Sequence, residues 1–363
     1  MGKTLTLDDV KAAVKGGSVY AAGGGGWPDH GLEIGTAAIT VGKPELVSID
    51  ELPDDAIIVT TSAIGAPAGR DWEMRGIDYI KAVQLLAEQV EGKVVGVMTP
   101  QNGMSSTING WLPAAALGLK VVDATGDIRA HPTGKMGSLG LASRTDFETI
   151  QVVVGGRRDT GSYLELVVKG TPAKTSSVLR TAADLSGGFI ACARHPLPAS
   201  YVKQNAVIGG ISKALDLGYA ILEAEPQGGQ AVIDTICSTT HGVILGAGEV
   251  ISYSVAYSGA FDIGTIVIQQ NDERFTLHVM NEYMAVENSE GQRLTTFPDV
   301  ITTLDARTGA VVRVGDVKLG AELAILSINK KHFSLSAGVL DPTVYPEVEE
   351  ALGISIADYA LGN

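Results

Sequence analysis

The sequence predicts an α/β N-terminal domain, with a largely parallel sheet and helices, followed by a mostly β C-terminal domain. Three observations carry this. The chain's 363 residues exceed what one hydrophobic core usually organises. From Leu7 to about Leu141, short apolar β-branched runs alternate with helical periodicity, the pattern of α/β layering. After His241 the rhythm changes to short strand-like runs separated by Gly, Asn and Asp turns.

In the first part, strands are expected at residues 18–22, 56–61, 93–98 and 120–124. Tyr79, Ile80, Val83, Leu86, Ala87 and Val90 recur at helical spacing and Gly92 follows as a stop. A second helix is expected over 201–223, weakened by Gly209 and Gly210 and free to return to the first domain. Strands of the second part are expected at 250–255, 265–269, 276–280 and 323–328. The boundary falls between residues 155 and 170, giving domains of 1–160 and 161–363. The absence of a low-complexity linker predicts a substantial interface between them.

With 27 Lys plus Arg against 41 Asp plus Glu, the net charge of -14 argues against nucleic acid or an anionic membrane as partner. No apolar signal core or run of about 18 apolar residues occurs. Two cysteines, Cys192 and Cys237, fit neither a disulfide scaffold nor a zinc knuckle. A reducing cytoplasm is the expected location, and a homo-oligomer the expected assembly.

Four glycines, 23–26, could turn backbone N–H groups inward to hold an anion, so Gly24, Gly25 and Gly26 are candidate binding residues with Asp29 and His30 just beyond. Pro28 and Asp29 break a dinucleotide-binding pattern. The stretch from Asp123 to Pro132 follows a buried-looking strand, where α/β sheets place ligands, and Asp123 is a catalytic candidate with it. If 127–131 is extended, Asp127, Arg129 and His131 project to one side, a set suited to acid–base work and anion holding. The bland reading is a structural ion pair beside a turn. Asn102 and Asn109 could donate to a substrate carbonyl, while Ser105 or Ser106 could cap a helix. His241 and Glu282 are further candidates; His195, His278 and His332 read as structural. Cys192 could act as a nucleophile, but its strand-like setting favours a core residue. No metal motif is present. A divalent ion such as zinc would need Asp29, His30, Asp127 and His131 gathered by folding, so the cofactor remains unknown.

Several segments in order look like one family: 22–31 (Ala-Gly-Gly-Gly-Gly-Trp-Pro-Asp-His-Gly), 62–67, 118–132, 209–218, 281–286 and 298–309. The chain resembles DUF917, the S-methyl thiohydantoin desulfurase family. The resemblance implies an enzyme that replaces the exocyclic C–S bond of a five-membered cyclic ureide by C=O, in a hydantoin-metabolising context. It leaves open hydrolysis of another small cyclic amide, or a non-catalytic ligand-binding partner of hydantoin-metabolising enzymes. Residues 101–107 depart from the family pattern, Gln101 standing where relatives often carry an acidic residue followed by glycines.

Overall fold

The computed structural model describes residues 2–66 and 71–362, so Pro67 of the 62–67 segment lies outside the described residues. The first sheet contains β1 (Lys3–Thr4), β2 (Glu45–Val47), β3 (Ile57–Gly65), β4 (Val94–Thr99), β5 (Lys120–Thr125), β6 (Thr149–Gly155), β7 (Leu164–Gly170), β8 (Phe189–Pro198) and β9 (Val207–Ile208). Their order is β1-β2-β5-β4-β3-β8-β6-β7, with β9 beside β5. Strands β2, β5, β4 and β3 run parallel. The others join antiparallel, so the sheet is mixed rather than largely parallel. For β6 and β7 the reason is local: residues 156–163 between them hold no helix, and a parallel return needs a long crossover.

Both faces of this sheet are covered, because successive residues of a strand point opposite ways. Val152 and Val154 pack into one core with Ala191 and Ala193, whereas Val153 packs into another with Ile190 and Cys192. The helices are α1 (Leu7–Tyr20), α2 (Pro28–Val41), α3 (Gly76–Ala87), α4 (Trp111–Leu117), α5 (Pro172–Leu185), α6 (Ala199–Asn205), α7 (Gly210–Ala224), α8 (Gly229–Thr240), α9 (Pro346–Leu352) and α10 (Ala357–Leu361).

Two sequence expectations change here. Residues 18–22 are not a strand but lie at the end of α1 and in the turn after it. This helix starts in a capping box, Thr6 Oγ1 accepting from Asp9 N at 3.3 Å and Asp9 Oδ2 accepting from Thr6 N at 2.9 Å. The helix expected over 201–223 is two, α6 and α7, with β9 between them. The break is at Gly209, whose φ is +76°. As anticipated, α7 returns to the first domain, crossing α1 where Gly16 and Gly218 let the backbones touch.

The second sheet contains β10 (Val243–Ser258), β11 (Phe261–Gln270), β12 (Glu273–Met280), β13 (Glu282–Glu287), β14 (Arg293–Thr296), β15 (Val300–Asp305), β16 (Val311–Val312) and β17 (Glu322–Ile328). It is antiparallel, in the order β14-β13-β12-β11-β10-β17-β15-β16. The interface between the domains is an apolar core: Val19, Ile128 and Leu217 share one cluster with Val300, Leu304 and Leu326. Among the described residues no helix is long and apolar enough to cross a membrane.

Candidate active site

The glycine loop follows α1 and leads into α2. Its backbone cannot be built from residues with side chains: Gly25 and Gly26 have φ of +72° and +88°, and a Cβ on Gly26 would strike Ser105 Oγ. The carbonyls of residues 22, 23, 25 and 26 are engaged. Ala22 O accepts from Tyr283 N at 2.8 Å, Gly23 O from Val314 N at 2.9 Å, and Gly25 O from Ser105 N at 3.1 Å. Gly26 O accepts from Arg313 Nη1 at 3.3 Å. The N–H groups of Gly25 and Gly26 donate to no group among the described residues.

Both glycines face a cavity that also receives His131, Arg180, Arg194 and Glu282. It lies along the end of β3 and beyond the C-terminal ends of β4 and β5, reached by Ser62, Gln101 and His131, where open α/β sheets bind ligands. The second domain closes it with Asn281 and Glu282, at the corner between β12 and β13 where Asn281 has φ +59°. The glycine turn and His131 therefore share one wall, as the sequence reading requires.

The polar groups here are buried and poised. His131 Nδ1, Glu282 Oε2 and Arg194 Nε have no hydrogen-bond partner among the described residues. An unpaired buried polar atom costs about 1–3 kcal/mol, so three on residues of one cavity wall mark a candidate ligand site. Burial pushes the His131 imidazole down to about 3, with Arg194 and Arg129 adding to the effect, so the ring is neutral. Burial pushes the Glu282 carboxyl up to about 8 against the opposing charges of Arg129 and Arg180, so it holds its proton at neutral pH. Behind His131 lies Asp127, its Oδ2 unpartnered and 3.9 Å from His131 Nδ1. Burial raises Asp127 to about 7, partly offset by Arg129.

Other expected site residues serve the fold. Residues 127–131 are not an extended strand, so the period-two argument fails at Arg129. Its guanidinium is fully buried and donates to Ala130 O at 2.8 Å, Asp299 O at 2.6 Å and Tyr283 O at 2.9 Å, tying the domains together outside the cavity wall. Asp123 caps α7, accepting from Ile211 N at 3.0 Å and Ser212 N at 3.1 Å. Asn102 bridges Gly210 O and Thr107, at 2.9 and 3.2 Å, and buried Asn109 does not reach the wall. Gly24 backs the cavity, a Cβ there striking Glu282 Oε1. Asp29 is exposed on α2, and His30 turns to Tyr79 with Nε2 at 3.3 Å from its hydroxyl. The four proposed metal ligands are thus not gathered, and no group of three or more His, Cys, Asp or Glu among the described residues could hold an ion. Ser105, at the N-terminal flank of the 3-10 turn Ser106–Ile108, makes no side-chain cap bond. His241 is exposed, its ring tilted against His332 with centroids 4.9 Å apart. Cys192 is fully buried and its thiol is pushed up to about 11 by burial, the state of a core residue.

Sequence reasoning missed Arg180 and Arg194. Arg194 Nη1 donates to Gly134 O at 3.4 Å, and Arg180 donates to Pro132 O at 2.8 Å and Ala260 O at 3.0 Å. Arg194 sits in an apolar strand beside His195, whose φ of +52° marks a bulge in the β3–β8 pairing. A buried arginine inside an otherwise apolar strand was the available signal. Gln101, at the departure from the family pattern, accepts from His131 N at 3.1 Å and so positions the histidine loop.

No protein of curated function matches the sequence. A crystal structure of a protein from Chromobacterium violaceum shares the fold with a TM-score of 0.70 at 20% identity, covering 90% of this chain and 91% of that one. Residues 8–157 match the S-Me-THD-like N-terminal domain and residues 171–337 the S-Me-THD-like C-terminal domain. Carrying both domains in order, the chain belongs to the S-methyl thiohydantoin desulfurase-like family.

Proposed function

We propose that this protein hydrolyses the exocyclic C–S bond of an S-methyl thiohydantoin bearing a carboxylate, leaving a hydantoin and releasing methanethiol. The supporting observation is the convergence, in one cavity, of two guanidiniums, two unpaired glycine amides and two acid–base groups in complementary states. Arg180 and Arg194 hold the anionic substrate in a chain that is otherwise strongly acidic. Water adds to the ring carbon bearing sulfur. His131 accepts its proton, with Asp127 behind the ring to stabilise the imidazolium, and passes it to the ring nitrogen that takes up the electron pair. The amides of Gly25 and Gly26 face the charge that develops on the adduct. Collapse breaks the C–S bond, Glu282 protonates the departing sulfur, and the adduct's hydroxyl proton restores Glu282. At neutral pH each group rests in the state its role needs, His131 with a free ring nitrogen and Glu282 with its proton.

Methanethiol release from purified protein, assayed with a panel of S-methyl thiohydantoins, tests the reading. His131→Ala and Glu282→Gln are each expected to lower kcat by about 100-fold. Ring opening of sulfur-free hydantoins without thiol release from any thiohydantoin would overturn it.

A further inference from the structure

Arg180 lies on α5, which packs on the first sheet, yet a hairpin of the second sheet holds it. The hairpin of β10 and β11 reaches across to α5, turning at Gly259 and Ala260, whose φ values of +56° and +65° fit a tight two-residue turn closed by the Ser258–Phe261 pair. Ala260 O accepts from Arg180 Nη1 at 3.0 Å, and the Phe261 ring lies 4.2 Å from the guanidinium carbon. One helical turn beyond Arg180, Asp184 Oδ1 accepts from the Tyr257 hydroxyl at 2.6 Å. From the first domain, Pro132 O accepts from Arg180 Nη2 at 2.8 Å, next to His131. The guanidinium is thus gripped on two edges and one face, and a free arginine would sample many rotamers.

We propose that the β10–β11 hairpin is a clasp that fixes Arg180 in the cavity wall, making Tyr257 and Phe261 positioning residues for capture of the anionic substrate. Neither side chain lines the cavity. The inference rests on the reading above only in naming that substrate; its physical content is that anion affinity depends on contacts made between the second sheet's hairpin and the helix packed on the first sheet. The guanidinium also lies near Glu282, Glu347, Arg194 and Tyr257, so its orientation decides what it meets.

The test uses the full chain and two probes. With a carboxylate-bearing S-methyl thiohydantoin, Phe261→Ala is expected to raise KM about tenfold and Tyr257→Phe about threefold, the scale of one loosened charge-assisted contact. An uncharged analogue should show neither change. In an Arg180→Ala background the Phe261→Ala effect should vanish, because a residue acting through Arg180 has nothing left to position. A loss that persists undiminished in that background is a general structural effect and overturns the clasp, as does an unchanged KM in both variants. Independently of turnover, inorganic sulfate should stabilise the wild type in thermal unfolding beyond chloride at equal ionic strength, and less so Phe261→Ala. Equal sulfate stabilisation in the two, or none in the wild type, also overturns the clasp. Clasp-dependent sulfate binding without thiol release would sink only the desulfurisation reading. Circular dichroism establishes that the variants fold, and Tyr257→Phe removes only a hydroxyl.

Discussion

Replacing Glu282 by glutamine should abolish most activity and yet stabilise the protein in mild alkali. Burial raises its folded-state pKa from 4.5 to about 8, the charges of Arg129 and Arg180 only partly opposing this. The folded chain therefore binds the proton more tightly than the unfolded chain. Its contribution to stability is whole below the unfolded value of 4.5 and is lost as pH rises through about 8. Between about pH 5 and about pH 9 that loss is on the order of 4 kcal/mol. Glutamine keeps the shape and does not titrate, so the stability gap between variant and wild type should widen in the variant's favour by a similar amount over that range. Urea unfolding at stepped pH measures it, read as differences so that any fixed cost of the amide cancels. Parallel pH dependence in the two proteins would refute the reasoning, because Glu282 would then not be held protonated by its burial.

Three further outcomes follow. Arg129→Met leaves the carbonyls of Ala130, Tyr283 and Asp299 without their donor and should cost about 3–5 kcal/mol in urea unfolding; a loss below about 1 kcal/mol would contradict its role as a tie between domains. Gly137→Ala places a Cβ 2.5 Å from His131 Nε2, in a ring with no room to retreat, and should reduce kcat at least about tenfold with the fold retained by circular dichroism. Cys192→Ala should keep turnover near wild type at a stability cost of about 1 kcal/mol, since this thiol fills a core between β8 and α5; loss of activity in a folded variant would point to covalent chemistry.

The site was legible where local chemistry announces itself. Gly23–Gly26 can only be a tight, backbone-exposing turn, and a loop after a buried strand is where an open sheet binds ligands, so the meeting of that turn with His131 followed from both. Glu282 was a candidate only through its place in the family-like 281–286 segment. Arg129 was misplaced because alternation was assumed through a segment whose backbone turns, and Asp123 because a helix cap 88 residues away leaves no local trace. The strand expected at 18–22 rested on β-branched content and overlooked Thr6 and Asp9, whose capping box starts a helix through Tyr20. Arg180 and Arg194 become site residues only through tertiary pairing, one by a hairpin from the second sheet and one by a bulge in β8.

The most direct measurement is turnover of a carboxylate-bearing S-methyl thiohydantoin in oxygen-18 water, with product mass and thiol determined together. One labelled oxygen at the former C–S carbon of an intact hydantoin ring, matched by one methanethiol, is the predicted result. Label in a ring-opened product that still carries its sulfur would contradict the proposed chemistry.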